Sequence, residues 1–163
     1  MNAGHEPLRS GRPNHAGVAF HPPLLLALAF AVGFLARRLV PLNFLPRALS
    51  SSIGPIVVAA SFGVLFWAVY TMRIGDASIP TNKPTNAIVV GGPFRRSRNP
   101  IYLSMLLLQV ATGIWANSLW FLGLAVASAV LLWWGVISRK ERYLEQKFGA
   151  EYLLYKGRVR RWL

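Results

Sequence analysis

The chain contains no cysteine, and only five of its 163 residues are acidic. The first absence removes disulfide staples, thiolate nucleophiles, iron–sulfur clusters and cysteine zinc sites, and leaves the redox compartment open. The second, set against 18 Lys+Arg, leaves a net charge of +13 that needs an anionic partner. Charge of either sign is scarce: 14% of residues are charged and 54% are hydrophobic, too little polar surface to coat a water-exposed globule of this size. Histidine is also rare. His5, His15 and His21 lack acidic or cysteine neighbours at ligand spacing, so no metal is assigned. One compact domain is expected, with no solenoid-type repeat.

What the sequence does have is long apolar runs with basic flanks. Asn99 to Ser138 is 40 residues without one Asp, Glu, Lys or Arg, about two bilayer thicknesses of helix at ~1.5 Å per residue. Trp115-Ala-Asn-Ser-Leu-Trp120 sits at its midpoint, with turn chemistry at Asn117 and Ser118 and belt tryptophans at either side, so a tight helical hairpin is expected. Ile53 to Met72 supplies another span. Leu24 to Ala36 supplies a first one, opened by Pro22-Pro23 and closed by Arg37-Arg38. The expected fold is an all-α integral membrane protein. It has about four transmembrane helices, with a C-terminal helical hairpin followed by an amphipathic cytoplasmic helix. Residues 1–20 read as a disordered leader and residues 21–163 as one membrane domain.

Counting basic residues by segment orients this arrangement. The leader holds two, the second loop five and the C-terminal tail eight, against three in the first loop and none in the hairpin turn. Positive-inside reasoning therefore places both termini and the second loop in the cytoplasm, with Arg37-Arg38 running against the rule locally. The charges flank membrane spans and form no recognition motif, which points to anionic membrane lipids as partners and away from nucleic acid.

Two stretches are too specific for spacers. The first is the loop from Arg73 to Arg98, punctuated by Pro80, Pro84, Pro93 and Gly91-Gly92, with the short apolar run Ala87 to Val90. It leads through Asn99-Pro100 into the hairpin. Pro100 suits a first helical turn and Asn99 the cap position before it. The second is Arg139 to Gly149, an amphipathic helix in which Glu141 and Glu145 share a face at i,i+4, with Gly149 as its stop. Glu141 stands among Arg139, Lys140 and Arg142, so it reads either as a local salt-bridge partner or as an acceptor for a ligand hydroxyl or amine. Residues 150–162 read as a second amphipathic piece on the bilayer face.

Gly92-Pro-Phe, Arg98-Asn-Pro-Ile-Tyr102, the hairpin, Glu141-Arg-Tyr-Leu-Glu, Phe148-Gly-Ala-Glu-Tyr152, Tyr155 and Val159-Arg-Arg161 together resemble the isoprenylcysteine carboxyl methyltransferase family. That broad group includes bacterial members and the phospholipid N-methyltransferases. The resemblance runs from about Arg73 to Leu163, the motif-bearing part of the domain. It implies an enzyme of the bacterial cytoplasmic membrane that binds S-adenosylmethionine between the loop before the hairpin and the helix after it, and methylates a lipophilic acceptor. Carried over by position, the cofactor contacts fall on Asn86, Ala87, Ile88, Val89, Phe94, Asn99, Pro100, Tyr102 and Glu141. Arg98 and Arg139 are the candidates for holding the acceptor. Two departures stand out: the family usually has Arg-His-Pro where this chain has Arg98-Asn99-Pro100, and Glu-Glu where it has Lys140-Glu141. An Asn amide still donates and accepts hydrogen bonds but cannot act as a base. The acceptor is either a carboxylate of an isoprenylcysteine-like compound or a lipid amine. Two other readings stay open: an NADPH-dependent reductase of the sterol type, and a catalytically inactive lipid-binding scaffold.

Overall fold

The structure, a computed structural model, describes residues 17–75 and 87–163. Residues 1–16, with His5 and His15, lie outside the described residues, as do loop residues 76–86, which include Asn86. The described chain forms helices α1 (Pro22–Leu39), α2 (Arg47–Ile74), α3 (Pro100–Trp115), α4 (Leu119–Leu132), α5 (Ser138–Phe148) and α6 (Ala150–Arg158). A 3₁₀ turn, Gly92–Arg95, precedes α3, and a π-helical turn, Trp133–Ile137, joins α4 to α5 into one continuous helix.

The all-α membrane fold is as expected. Among the described residues, three helices are long and apolar enough to cross a membrane: Pro22–Leu39, Arg47–Ile74 and Leu119–Phe148. The fourth expected crossing differs, because α3 has 16 residues, about 24 Å against a hydrocarbon core of about 30 Å. Pro100 opens it and the Asn117 turn closes it, so the apolar run divides unequally. The longer share belongs to α4 and its extension.

Antiparallel packing gives the bundle two distinct ends. At one end, the α1–α2 loop is tied to the hairpin turn. Asn117 takes a left-handed backbone (φ 49°); its Oδ1 accepts from the Phe44 and Leu45 amides at 3.0 and 2.9 Å, and its Nδ2 donates to the Leu45 carbonyl at 2.7 Å. Trp120 Nε1 donates to the Val40 carbonyl. At the other end lie the end of α2, the 3₁₀ turn, the start of α3, α5, α6 and the C-terminus.

Glycine lets the helices approach closely. A Cβ on Gly54 would stand 2.4 Å from Trp115 Cβ, and one on Gly33 would meet the Phe121 ring at 2.7 Å. The π turn has its own partner. Such a turn accommodates one extra residue and disturbs the regular hydrogen-bond ladder, and the Gly135 carbonyl within it accepts from the Ala19 amide at 3.0 Å. Phe20 fills the space above Gly135, where a Cβ would come within 2.4 Å of the ring. Residues 17–20, assigned to the leader on composition, are thus packed against the long helix.

Candidate active site

The polar end of the bundle holds a cleft built from the two stretches the sequence singled out. It is lined by Ala87, Ile88, Val89, Phe94, Arg98 and Asn99 from the loop before α3, by Lys140, Glu141 and Leu144 of α5, by Tyr152 and Tyr155 of α6, and by Met72 of α2. Local packing places each group. Val89 and Phe94 lie against Ala68 and Met72 at the end of α2, which fixes the loop as the wall facing α5. Gly92 makes the turn that permits this: its φ is +54°, and a Cβ there would stand 2.6 Å from Thr71 Oγ1. Its left-handed backbone and lack of space both select glycine.

Glu141 is the centre of the charge. It is 5% exposed and its partners are not the neighbours beside it in the sequence. Arg161 grips it with both forks, Nε to Oε1 at 3.1 Å and Nη2 to Oε2 at 2.7 Å, and Arg98 Nη2 stands 3.5 Å from Oε1. Thus a local salt bridge to Arg139, Lys140 or Arg142 is not the role of Glu141, whereas Glu145, one turn on, pairs with Lys156. Two cations around one buried carboxylate leave Arg98 short of acceptors: its Nε and Nη1 are buried with no hydrogen-bond partner among the described residues. Burying unpaired guanidinium donors is costly, and an anion in the cleft would relieve that cost.

The C-terminal strap, residues 159–163, closes over this pair. The Arg98 amide donates to the Arg160 carbonyl at 3.0 Å, and Asn99 Nδ2 donates to the Arg161 carbonyl at 3.2 Å. Asn99 therefore occupies the residue before α3 but makes no side-chain cap; its amide is turned to the strap instead. Trp162 packs against the cluster of Tyr102, Leu132, Val136 and Ile137, and the Arg161 guanidinium lies 4.9 Å from the Trp133 ring centroid. The cleft itself holds about 50 Å³, room for a few waters.

The tyrosines frame the ion pair. Tyr152 is 2% exposed; burial pushes its hydroxyl up to about 12, Glu141 adds to the rise and Arg98 opposes it. Tyr155 is pushed up as well, chiefly by burial, and donates to the Phe94 carbonyl at 2.8 Å. The hydrogen bond to Glu141 outweighs the lowering effect of burial and holds the Arg161 guanidinium above its usual range.

Of the candidate residues, Ala87, Ile88, Val89, Phe94, Arg98, Asn99 and Glu141 come together at the cleft. Pro100 and Tyr102 do not line it; Tyr102 is buried behind, with Lys140 Nζ 6.0 Å from its ring centroid. Arg139 turns outward and donates to the Gly17 carbonyl at 2.9 Å. Met72, Leu144, Tyr152, Tyr155 and Arg161 were not singled out as site residues. Tyr152 and Tyr155 carried a signal in their i,i+3 spacing on an amphipathic helix. Arg161, one of four basic residues in the last eight, carried a signal as the end of the Val159-Arg-Arg161 motif, though nothing in that motif said which of its arginines would meet Glu141.

The fold and this cleft together define an all-helical membrane protein with a buried, charge-bearing site at one end of its bundle. A family described as phospholipid methyltransferase matches residues 49–151, which covers more than half of the chain, and the chain belongs to that family. It is also 48% identical over 64 residues, 39% of this chain and 100% of the relative, to an uncharacterized protein of Haemophilus influenzae. No solved structure matches.

Proposed function

We propose that the chain is an S-adenosylmethionine-dependent methyltransferase acting at the cytoplasmic face of a bacterial inner membrane, on a lipophilic acceptor. The observation that carries this reading is the buried Arg98 with two unpaired donors beside Glu141. Family membership supports methyl transfer to a lipid substrate. The cleft residues fit the donor's chemistry: unpaired guanidinium donors suit a carboxylate, a buried carboxylate suits ribose hydroxyls or an ammonium, and Met72, Val89, Phe94 and Leu144 offer an apolar wall for a purine.

When bound, S-adenosylmethionine supplies an electrophilic methyl group on a sulfonium, so no nucleophilic side chain is required of the protein. Its residues bind, align and exclude water. In this reading Glu141 and the 87–89 stretch hold the donor, with Phe94 and Asn99 flanking it and Pro100 and Tyr102 supporting from behind. Arg98 fixes an anionic group of donor or acceptor. Arg139 lies outside the cleft and is the weaker candidate for the acceptor. Tyr152, protonated across the physiological range, serves as a hydrogen-bonding group and not as a base. Arg161 occupies both carboxylate oxygens of Glu141, so a donor hydroxyl or ammonium that binds Glu141 takes the place of this guanidinium.

Calorimetric titration of detergent-purified protein with S-adenosylmethionine and with NADPH tests the donor: binding of the first and not the second is expected, and the reverse would replace the proposal with a reductase. Incubating membranes with methyl-labelled donor, then extracting them, tests the acceptor, with label expected in a lipid amine or in a prenylated thiol acid. Binding without any transfer in native lipid extract would leave a scaffold.

A further inference from the structure

At the end of the bundle opposite the cleft, the α1–α2 loop and the hairpin turn border a second, open cavity of about 1200 Å³. Arg37 and Arg38, in the last turn of α1, and Arg47, the first residue of α2, line it together with Phe34 and Trp115. All three arginines are exposed. No described carboxylate lies at this end: among the described residues the only acids are Glu141, Glu145 and Glu151, all in α5 and α6. The helix dipole opposes the charge at one of the three positions. Arg37 and Arg38 stand at a helix C-terminus, where positive charge is favoured, but Arg47 stands at the N-terminus of α2, with no acid in its first turn, where positive charge is disfavoured. The wall is held by the Asn117 side chain, which fixes the loop backbone at Phe44 and Leu45. One side of this space is therefore held in place by hydrogen bonds.

We propose that this cavity binds the phosphate of an anionic phospholipid. Three guanidiniums and the positive end of α2 converge on a space large enough for a headgroup, and guanidiniums match phosphate oxygens through paired N–H donors. Phe34, which is 51% exposed, and Trp115, which is 54% exposed, line the same space as the basic groups, near the ends of α1 and α3. That arrangement suits a molecule with acyl chains attached to its phosphate. Arginine at this end runs against the usual placement of basic residues, and a bound anion accounts for it. The site is separate from the cleft and independent of the donor and acceptor proposed there.

The test uses the full chain in neutral detergent, titrated with phosphatidylglycerol, with phosphatidylcholine of the same tails, and with inorganic phosphate, reading thermal unfolding and lipid retained after gel filtration. Phosphatidylglycerol is expected to raise the unfolding temperature and to stay bound, phosphatidylcholine to do so at least tenfold more weakly, and R37Q/R38Q/R47Q to lose the preference. Ser51→Glu, which places a carboxylate in the cavity wall, is expected to lose it as well; its unfolding temperature without lipid reports that the fold is intact. Displacement of the lipid by millimolar inorganic phosphate would assign the same site to free phosphate instead. Equal retention of phosphatidylglycerol by the wild type and both variants would overturn the proposal.

Discussion

At the scale of single residues, the outcome at Glu141 is decided by partners far along the chain. Replacing it with Gln leaves Arg98 and Arg161 facing each other without a counter-charge; breaking a buried pair in this way costs about 3–5 kcal/mol. Glu141→Gln is therefore expected to lower the unfolding temperature and weaken S-adenosylmethionine binding at least tenfold by calorimetry. Unchanged affinity would remove Glu141 from the donor site. Arg161→Gln separates gate from scaffold: freeing Glu141 is expected to speed donor association in stopped-flow measurements, whereas slower association would make Arg161 part of the binding surface.

Tyr152 carries a pH dependence of known sign. Its hydroxyl ionises near 10 in the unfolded chain and near 12 in the fold, so between those values the folded state holds more protons than the unfolded one. Stability then falls as pH rises, since its slope follows the protons bound by the unfolded state minus those bound by the folded state. The unfolding temperature is expected to be independent of this group below pH 10 and to fall between pH 10 and 12. Tyr152→Phe should reduce that alkaline step, leaving the share of Tyr155, whose hydroxyl is also pushed up by burial; a step of unchanged size in the variant would assign it to another group.

At the scale of elements, the π turn decides how α5 presents its side chains. One extra residue rotates the downstream helix by about 100° relative to an uninterrupted one, so the face carrying Glu141 cannot be projected from the apolar pattern of α4. The turn depends on Gly135, which leaves room for Phe20. Gly135→Ala is expected to destabilise by about 1–3 kcal/mol, the usual range for overpacking. Adding Phe20→Ala should recover part of that loss in chemical denaturation, because the clash is with this ring. Absence of any recovery would place the cost in the π turn itself.

At the scale of the whole molecule, the two ends of the bundle are chemically unlike. One has three carboxylates ringed by arginine, lysine and tyrosine; the other has arginines without a described acid. The absence of cysteine makes orientation directly measurable. Single substitutions Asn43→Cys and Gly157→Cys, probed in intact cells with a membrane-impermeant maleimide, are expected to label the first and spare the second. The opposite result would turn the cleft to the outer face and withdraw the cytoplasmic assignment.

The helical membrane class, the hairpin with Asn117 at its turn, the stop at Gly149 and the two stretches that meet at the cleft are all legible in the order of the amino acids. These arise from local causes: an uncharged run long enough to cross twice, an Asn that tolerates a left-handed backbone, a glycine after the last apolar turn, and a resemblance carried by ordered motifs. The sequence left open whether Glu141 was paired with its neighbours, set Asn99 as a cap and placed Arg139 at the site. Only the tertiary structure decided that Arg98 and Arg161, 43 and 20 residues away in the chain, hold the carboxylate, that Asn99 serves the strap, and that Arg139 faces away. Long-range ion pairs and a one-residue register shift leave no period in the sequence, because they depend on which faces meet once the helices have packed.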